Sequence, residues 1–387
     1  MNEIAMRGDQ SFANSCDRGI QVTAPVLKSI PLRDMRDGGP LRHAIEAAEE
    51  ARALRDDCLA WLPSAARRMM PAFDAITRRW LMRSTSPYVA EITAVAAALE
   101  FSGVWFLNGS YQWGCTSLAR DDDAPWLVRT LDWPFPGLGR HVEIVRMGGG
   151  AGEYYSVTWP GFVGVLTGMA PGRFAASINQ APLWRRTEHP WLRPLDIMAN
   201  ALATWPVRHM PPDQLLRETF EICPDYASAK QRLETVPIAR PVIYTLTGCQ
   251  PGERCVIERT IDGFNTRTED TGAANDWLVR AKRWEGRIGA NIMLTASREE
   301  AAARSSERQV ALAAWSGPFA GEFAWVSPPV LNLYTRIATE MCAAHGILRV
   351  TGYESVPGFD LPQAVTQPRE VVAPASESRN QRVAELT

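Results

Sequence analysis

The stretch GCTSLARDDDAPWLVRTLDW, residues 114–133, decides how the rest of the chain is read. Two runs of apolar, hydroxyl and β-branched residues, CTSLAR and WLVRTLDW, flank an Asp-rich DDDAP segment of the kind that reverses chain direction. The pattern predicts a hairpin folded over Asp121 to Pro125, with residues 129 to 132 opposite residues 115 to 118. Cys115, Arg129 and Asp132 would then share one patch of sheet.

On the N-terminal side the character is helical. From His43 to Arg68 the run HAIEAAEEARALRDDCLAWLPSAARR is rich in Ala, Leu, Arg and Glu at helical spacing, and PAFDAITRRWLMRS and VAEITAVAAALEF continue it to Phe101. On the C-terminal side HVEIVRM, EYYSVTW and FAASIN read as strands between Gly, Pro and Asp clusters. Helical patterns return at PLDIMANALATW, DQLLRETFEI and YASAKQRLETV, strands at RPVIYTLTG and RCVIERTIDG, and a last helix at ASREEAAARSSERQVALAAW. This order predicts one α+β domain, a four-layer αββα sandwich of largely antiparallel sheets, with the helical segment covering one sheet face and the later helices the other. The expected boundaries are a loose tail over residues 1–30, a helical α-segment over 31–114, a strand-rich β-segment over 115–360 and a disordered tail over 361–387.

Composition narrows the function classes. The 387 residues are 46% hydrophobic and 22% charged, enough to bury a large core. With 41 Lys and Arg against 43 Asp and Glu, the chain carries no basic footprint for nucleic acid or an anionic membrane surface. No stretch approaches the roughly 18 apolar residues of a membrane span, and MNEIAMRGDQSF lacks the basic patch and apolar run of a secretory signal, so a cytoplasmic location is expected. Seven scattered cysteines, of which only Cys249 and Cys255 lie close together, give no disulfide or zinc framework. GMAPGRFAAS lacks the Lys-Ser/Thr ending of a phosphate loop, and no metal or organic cofactor is expected.

A cysteine nucleophile needs an activated thiolate, and none of the five histidines sits in a local Cys–His protease signature. A different base is available if the cysteine becomes a chain terminus. A free α-amino group, with a pKa of about 7.7–8.0, can take the proton of its own side chain. Such a cysteine must follow a cleavable bond, begin a strand, and have a carboxylate and a cation nearby. Gly114 precedes Cys115, Thr116 and Ser117 open the strand, and Arg129 and Asp132 return beside it.

Cys-Thr-Ser followed by Arg-x-x-Asp-Trp resembles the cysteine N-terminal-nucleophile hydrolases, which include acid ceramidase, N-acylethanolamine acid amidase, choloylglycine hydrolase and penicillin V acylase. The acid ceramidase and acylethanolamine amidase branch is the most similar, because EITAVAAALEFSGVWFLNGSYQWG places a helical segment ahead of the cysteine. SIN at 177–179 and AANDW at 273–277 resemble the family's asparagine segments, and the likeness spans roughly residues 70 to 355. The resemblance implies hydrolysis of a linear amide by a chain that first cleaves itself between Gly114 and Cys115, leaving an α/β heterodimer.

Within it, Cys115 is the nucleophile, Asp132 orients its α-amine, and Arg129 favours thiolate and developing oxyanion. Asn275 is the oxyanion-hole donor and Asn179 a second polar contact. For the family's later arginine, Arg283, Arg287 and Arg308 compete, with Arg308 preferred. Trp105, Trp113, Trp126, Trp133, Trp159, Trp184 and Trp191 lie close in sequence and suit an apolar acyl or aryl group. Rival functions are acyl transfer of the acyl-coenzyme A:6-aminopenicillanic acid type and a binding protein that has lost catalysis. Each residue also has a plain structural reading: Cys115 as a small core hydrophobe, Arg129 and Asp132 as an ion pair, Asn179 as a turn residue, Asn275 as a helix cap.

Overall fold

The computed structural model describes residues 27–110, 114–182, 184, 186, 189, 192–279 and 298–373. Strand β1 (Leu32–Asp34) precedes six helices, α1 (Gly39–Glu46), α2 (Ala48–Ala60), α3 (Ser64–Arg68), α4 (Met70–Leu81), α5 (Val89–Leu99) and α6 (Val104–Gly109). Strands β2 (Gly114–Asp121), β3 (Pro125–Asp132), β4 (Glu143–Gly149), β5 (Gly152–Thr158), β6 (Thr167–Ala170) and β7 (Phe174–Gln180) follow. Next come α7 (Arg193–Thr204), α8 (Pro212–Ile222), α9 (Tyr226–Thr235), β8 (Val242–Thr247), β9 (Arg254–Arg259), β10 (Phe264–Arg267) and β11 (Gly272–Ala273). Helix α10 (Arg298–Ala313) and strands β12 (Thr335–Cys342), β13 (Ile347–Glu354), β14 (Gln363–Ala364) and β15 (Arg369–Val372) complete the chain.

An eight-stranded sheet in the order β1-β4-β5-β6-β7-β8-β9-β10 packs against a seven-stranded sheet in the order β11-β2-β3-β12-β13-β14, with β15 also on β13. Every neighbouring pair is antiparallel except β1–β4, which is parallel. The α+β sandwich expected from the sequence is therefore present. In the predicted hairpin Cys115 faces Leu131 and Ser117 faces Arg129, while Asp132 lies opposite Gly114.

The alternation of each strand sorts its side chains between layers. Ser117 and Thr245 meet between the sheets at 2.8 Å. On the outer face of the eight-stranded sheet, the Phe220 ring of α8 stacks on Tyr154 and Phe174 at 5.2 and 4.8 Å between centroids. Helix α10 packs on β2 and β11 of the other sheet. The layering differs from expectation in one respect: α1 and α5 share the outer side of the eight-stranded sheet with α8. His43 of α1 bonds Glu143 of β4 at 2.7 Å, and Arg217 of α8 bonds Glu91 of α5. Because β1 is an added strand beside β4, the helices that follow are delivered to that sheet.

Helix α6, which leads toward the nucleophile, is fixed from both sides. Asp74 of α4 accepts from the Gly103 and Phe106 backbone N–H groups at 2.7 and 2.8 Å, satisfying orphan donors of the first turn. Gly103 does this with φ 116, a conformation open to glycine. Asn108 donates to the Gly161 carbonyl at 2.8 Å and accepts from Val163 N–H at 2.8 Å, tying α6 to the β-segment.

Each expected tail contains residues that belong to the fold. Ile30 is buried and Lys28 bridges Thr366, so the fold begins before residue 31. Residues 361–373 add β14 and β15 to β13, giving Val371 and Ala373 a buried place. Strands β12 and β13 were not foreseen. All of TRIATEMC is buried, and its charges are satisfied internally: Glu340 accepts from Trp325 at 3.0 Å and Arg336 pairs with Glu354 at 3.6 Å. A strand covered on both faces shows no polar alternation.

Candidate active site

Four nominated residues are brought together and removed from solvent: Cys115, Arg129, Asp132 and Asn275 are 0, 2, 1 and 1% exposed. The register of β2 and β3 puts Arg129 one pleat from Cys115. Its Nη2 donates to Cys115 Sγ at 2.9 Å and to the Ile178 carbonyl at 2.8 Å, and its Nη1 donates to Thr167 Oγ1. Arg129 is thus aimed at the sulfur by β6 and β7 of the facing sheet. Among the described residues no ion pair joins it to Asp132.

Asp132 is held from another direction. Its Oδ1 accepts from Thr335 Oγ1 at 3.0 Å and its Oδ2 from Asn332 Nδ2 at 2.9 Å. Burial pushes the Cys115 thiol up from its usual range; the Arg129 charge pulls it back down, and the Asp132 charge adds to the upward push.

Asn275 meets the main chain of the nucleophile. Its Oδ1 accepts from the Cys115 backbone N–H at 2.9 Å and from Arg308 Nη2 at 2.9 Å, while its Nδ2 donates to the Gln180 carbonyl at 3.0 Å. These partners fix which amide atom is oxygen. The side chain expected to offer N–H to an oxyanion therefore turns its oxygen toward Cys115. Arg308 is brought to the site by α10, whose Ser305, one turn earlier on the same face, accepts from Asn275 N–H at 2.9 Å. Arg283 and Arg287 lie outside the described residues.

Asn179 is a strand residue of β7, not a turn residue. Its Nδ2 donates to Ser117 Oγ at 3.0 Å and to the Ala273 and Ala274 carbonyls at 3.2 and 3.1 Å, fixing the segment that carries Asn275. No helix begins at Asp276, so Asn275 is not a cap. Sequence reasoning missed Thr167, Ser305, Asn332 and Thr335. Only the last two carried a signal, since Asn-x-x-Thr before a strand is a turn-forming spacing.

An apolar cleft lies between the α-segment and Trp133, Phe135, Leu138, Pro160 and Gly161, and none of Cys115, Arg129, Asp132 and Asn275 lines it. Its wall is chiefly aliphatic and phenyl, including Leu54, Leu59, Leu99, Phe101 and Phe135. Of the nominated tryptophans among the described residues, Trp133 alone lines it. Trp126 packs on Phe319 and Trp159 bonds the Leu138 carbonyl, both as core; Trp113 and Trp191 lie outside the described residues. Among the described residues no helix is long and apolar enough to cross a membrane, and no group of three or more His, Cys, Asp or Glu is placed to hold a metal ion.

Two sheets packed face to face between helices carry, near the start of an inner strand, a cysteine beside an arginine and an aspartate, the arrangement that the sequence resemblance to the N-terminal-nucleophile hydrolases implies. By sequence the chain is similar to the N-acylethanolamine-hydrolyzing acid amidases. It is 29% identical to that protein of Oryctolagus cuniculus over 46% of this chain and 49% of the relative, and 27% identical to that of Cavia porcellus over 62% and 63%. The chain thus matches only about half to three-fifths of the length of these relatives. A solved structure of the Caenorhabditis elegans ortholog of that amidase aligns over 59% of this chain and 93% of its own, with TM-score 0.42 and 18% identity. No family model matches the sequence.

Proposed function

We propose that this protein hydrolyses a linear amide, R–CO–NH–R′, with Cys115 as an N-terminal nucleophile. The observation that carries the reading is the double engagement of Cys115: Arg129 Nη2 stands 2.9 Å from its sulfur and Asn275 Oδ1 2.9 Å from its backbone nitrogen. A cation at the sulfur and an acceptor at the nitrogen serve a residue whose thiol attacks and whose amine moves protons. Maturation comes first. The Cys115 sulfur adds to the Gly114 carbonyl, the C–N bond breaks to leave a thioester and a free Cys115 amine, and water hydrolyses the thioester to free the Gly114 carboxylate.

In turnover the α-amine takes the thiol proton and the thiolate adds to the substrate carbonyl. Arg129 and a backbone N–H stabilise the oxyanion, and the α-ammonium returns its proton to the leaving amine. Water, deprotonated by the same amine, then releases the acid and regenerates the thiol. Asn275 Oδ1 and the Asp132 carboxylate hold the ammonium, while the Asn275 N–H group joins the oxyanion hole if it exchanges the Gln180 carbonyl for substrate. The apolar cleft suits an acyl chain, and the similarity to N-acylethanolamine-hydrolyzing acid amidases supports an N-acyl amine substrate. The two chains stay joined as a heterodimer, because the α-segment contributes β1 to a sheet of the β-segment and α6 is bonded into it. A fatty-acyl aminocoumarin amide tests the reading: wild type releases fluorophore and acid in equal amounts, and Cys115→Ala releases none.

A further inference from the structure

We propose that Asn332 and Thr335 are positioning residues that aim the Asp132 carboxylate at the Gly114–Cys115 junction, an inference that rests on the reading of Cys115 as an N-terminal nucleophile. Gly114, Asp132 and Thr335 stand side by side on three adjacent strands, β2, β3 and β12. Asp132 therefore has the scissile residue on one side and Thr335 on the other. An ionised carboxylate only accepts hydrogen bonds, and each of its oxygens receives one donor from the same short turn: Oδ1 from Thr335 at 3.0 Å and Oδ2 from Asn332 at 2.9 Å.

That turn is closed on itself before it reaches the aspartate. Asn332 N–H donates to Thr335 Oγ1 at 3.0 Å, Tyr334 N–H donates to Asn332 Oδ1 at 3.0 Å, and Thr335 N–H donates to the Asn332 carbonyl at 3.0 Å. Asn332 Oδ1 and Thr335 Oγ1 thus accept within the turn, while the Asn332 NH₂, which also donates to the Val330 carbonyl at 3.2 Å, and the Thr335 hydroxyl proton face Asp132. The Tyr334 carbonyl also accepts from Trp133 N–H at 2.6 Å, which locks the turn to the residue after the aspartate. Immediately beyond Thr335 the register slips, so that Ile337 and not Arg336 faces Leu131. A bulge of this kind re-aims a side chain beside a site at the cost of one ladder position.

A structural role would require only that the turn fold; a positioning role requires that the two donors hold the carboxylate in one orientation. With one donor gone the carboxylate can rotate and its freed oxygen competes for the α-amine. The test uses the full chain, with Thr335→Val, Thr335→Ser and Asn332→Ala measured for rate of self-cleavage on a denaturing gel, for kcat and KM on the fatty-acyl aminocoumarin amide, and for thermal midpoint. Thr335→Val is expected to slow cleavage and lower kcat by about tenfold to a hundredfold, with KM within about twofold, and Thr335→Ser to restore both. Should Thr335→Val not fold, Asn332→Ala, which alters a half-buried turn residue, carries the same expectation. Folded variants that mature and turn over like wild type, or a Thr335→Val loss that Thr335→Ser does not rescue, would overturn the inference. An active Cys115→Ala chain would instead overturn the reading on which it rests.

Discussion

The Arg129 guanidinium donates through one nitrogen to both the Cys115 sulfur and the Ile178 carbonyl, at 2.9 and 2.8 Å, while its other terminal nitrogen is held by Thr167. A planar fork can span strands of two sheets in this way; an ammonium on a flexible stem cannot. Arg129→Lys is therefore expected to keep the charge and lose the geometry, lowering kcat by about a hundredfold or more. Steady-state kinetics beside a thermal melt check this. Wild-type kcat in a folded variant would mean that Arg129 is structural.

Asp132→Asn preserves shape but removes the charge. It also turns an amide NH₂ toward one of the two donors that now hold the carboxylate, so the pair must separate or rotate. Self-cleavage and turnover should both slow, by about tenfold or more, because both depend on the Cys115 nitrogen. Time courses on a denaturing gel and initial rates give the two numbers. Unchanged cleavage with reduced turnover would detach Asp132 from maturation.

A buried carboxyl away from the site makes a prediction about stability. Asp213 stands at the start of α8, and burial pushes its carboxyl up to about 7, against a downward pull from its own and Gln214 backbone N–H groups and Arg240. A group raised on folding favours the folded state when protonated. Its contribution is complete below the unfolded value near 3.8 and is lost as pH rises through about 7. Asp213→Asn should therefore raise the thermal midpoint relative to wild type at pH 8 more than at pH 5. Equal differences at the two pH values would contradict the assignment.

How much could be read in advance depended on whether each residue's role was local. The β2–β3 hairpin was legible because DDDAP marks its turn and the spacing of Cys115, Arg129 and Asp132 follows from it. Arg308 was reachable because the resemblance asked for an arginine after Asn275. Thr167 was not: it touches Arg129 across the gap between sheets, and nothing in a strand's own sequence names its partner in the opposite layer. Strand β12 was hidden for a related reason, since Arg336 and Glu340 are charges inside the core whose partners, Glu354 and Trp325, lie elsewhere in the chain. The tryptophans mislead because residues near Cys115 in sequence, such as Trp126 and Trp159, are placed in the core away from the cleft.

The cleft sets an expectation for chain length. Leu59 lines it from α2 and is half-buried, so a larger side chain there can be accommodated by the fold while shortening the cavity. Leu59→Trp should lower kcat/KM for a long acyl amide by about tenfold to a hundredfold relative to a short one. A parallel fall for both lengths, or no fall, would remove the cleft as the acyl site.

An N-terminal nucleophile exists only once the bond between Gly114 and Cys115 is cut. Purified wild-type protein, incubated across pH 5 to 8 and examined by intact mass and N-terminal sequencing, should resolve into residues 1–114 and 115–387, the larger chain beginning Cys-Thr-Ser-Leu, and the two should co-elute under native conditions. Cys115→Ala should remain one chain and inactive. A wild-type protein that hydrolyses amides while its chain stays whole would contradict the N-terminal-nucleophile account.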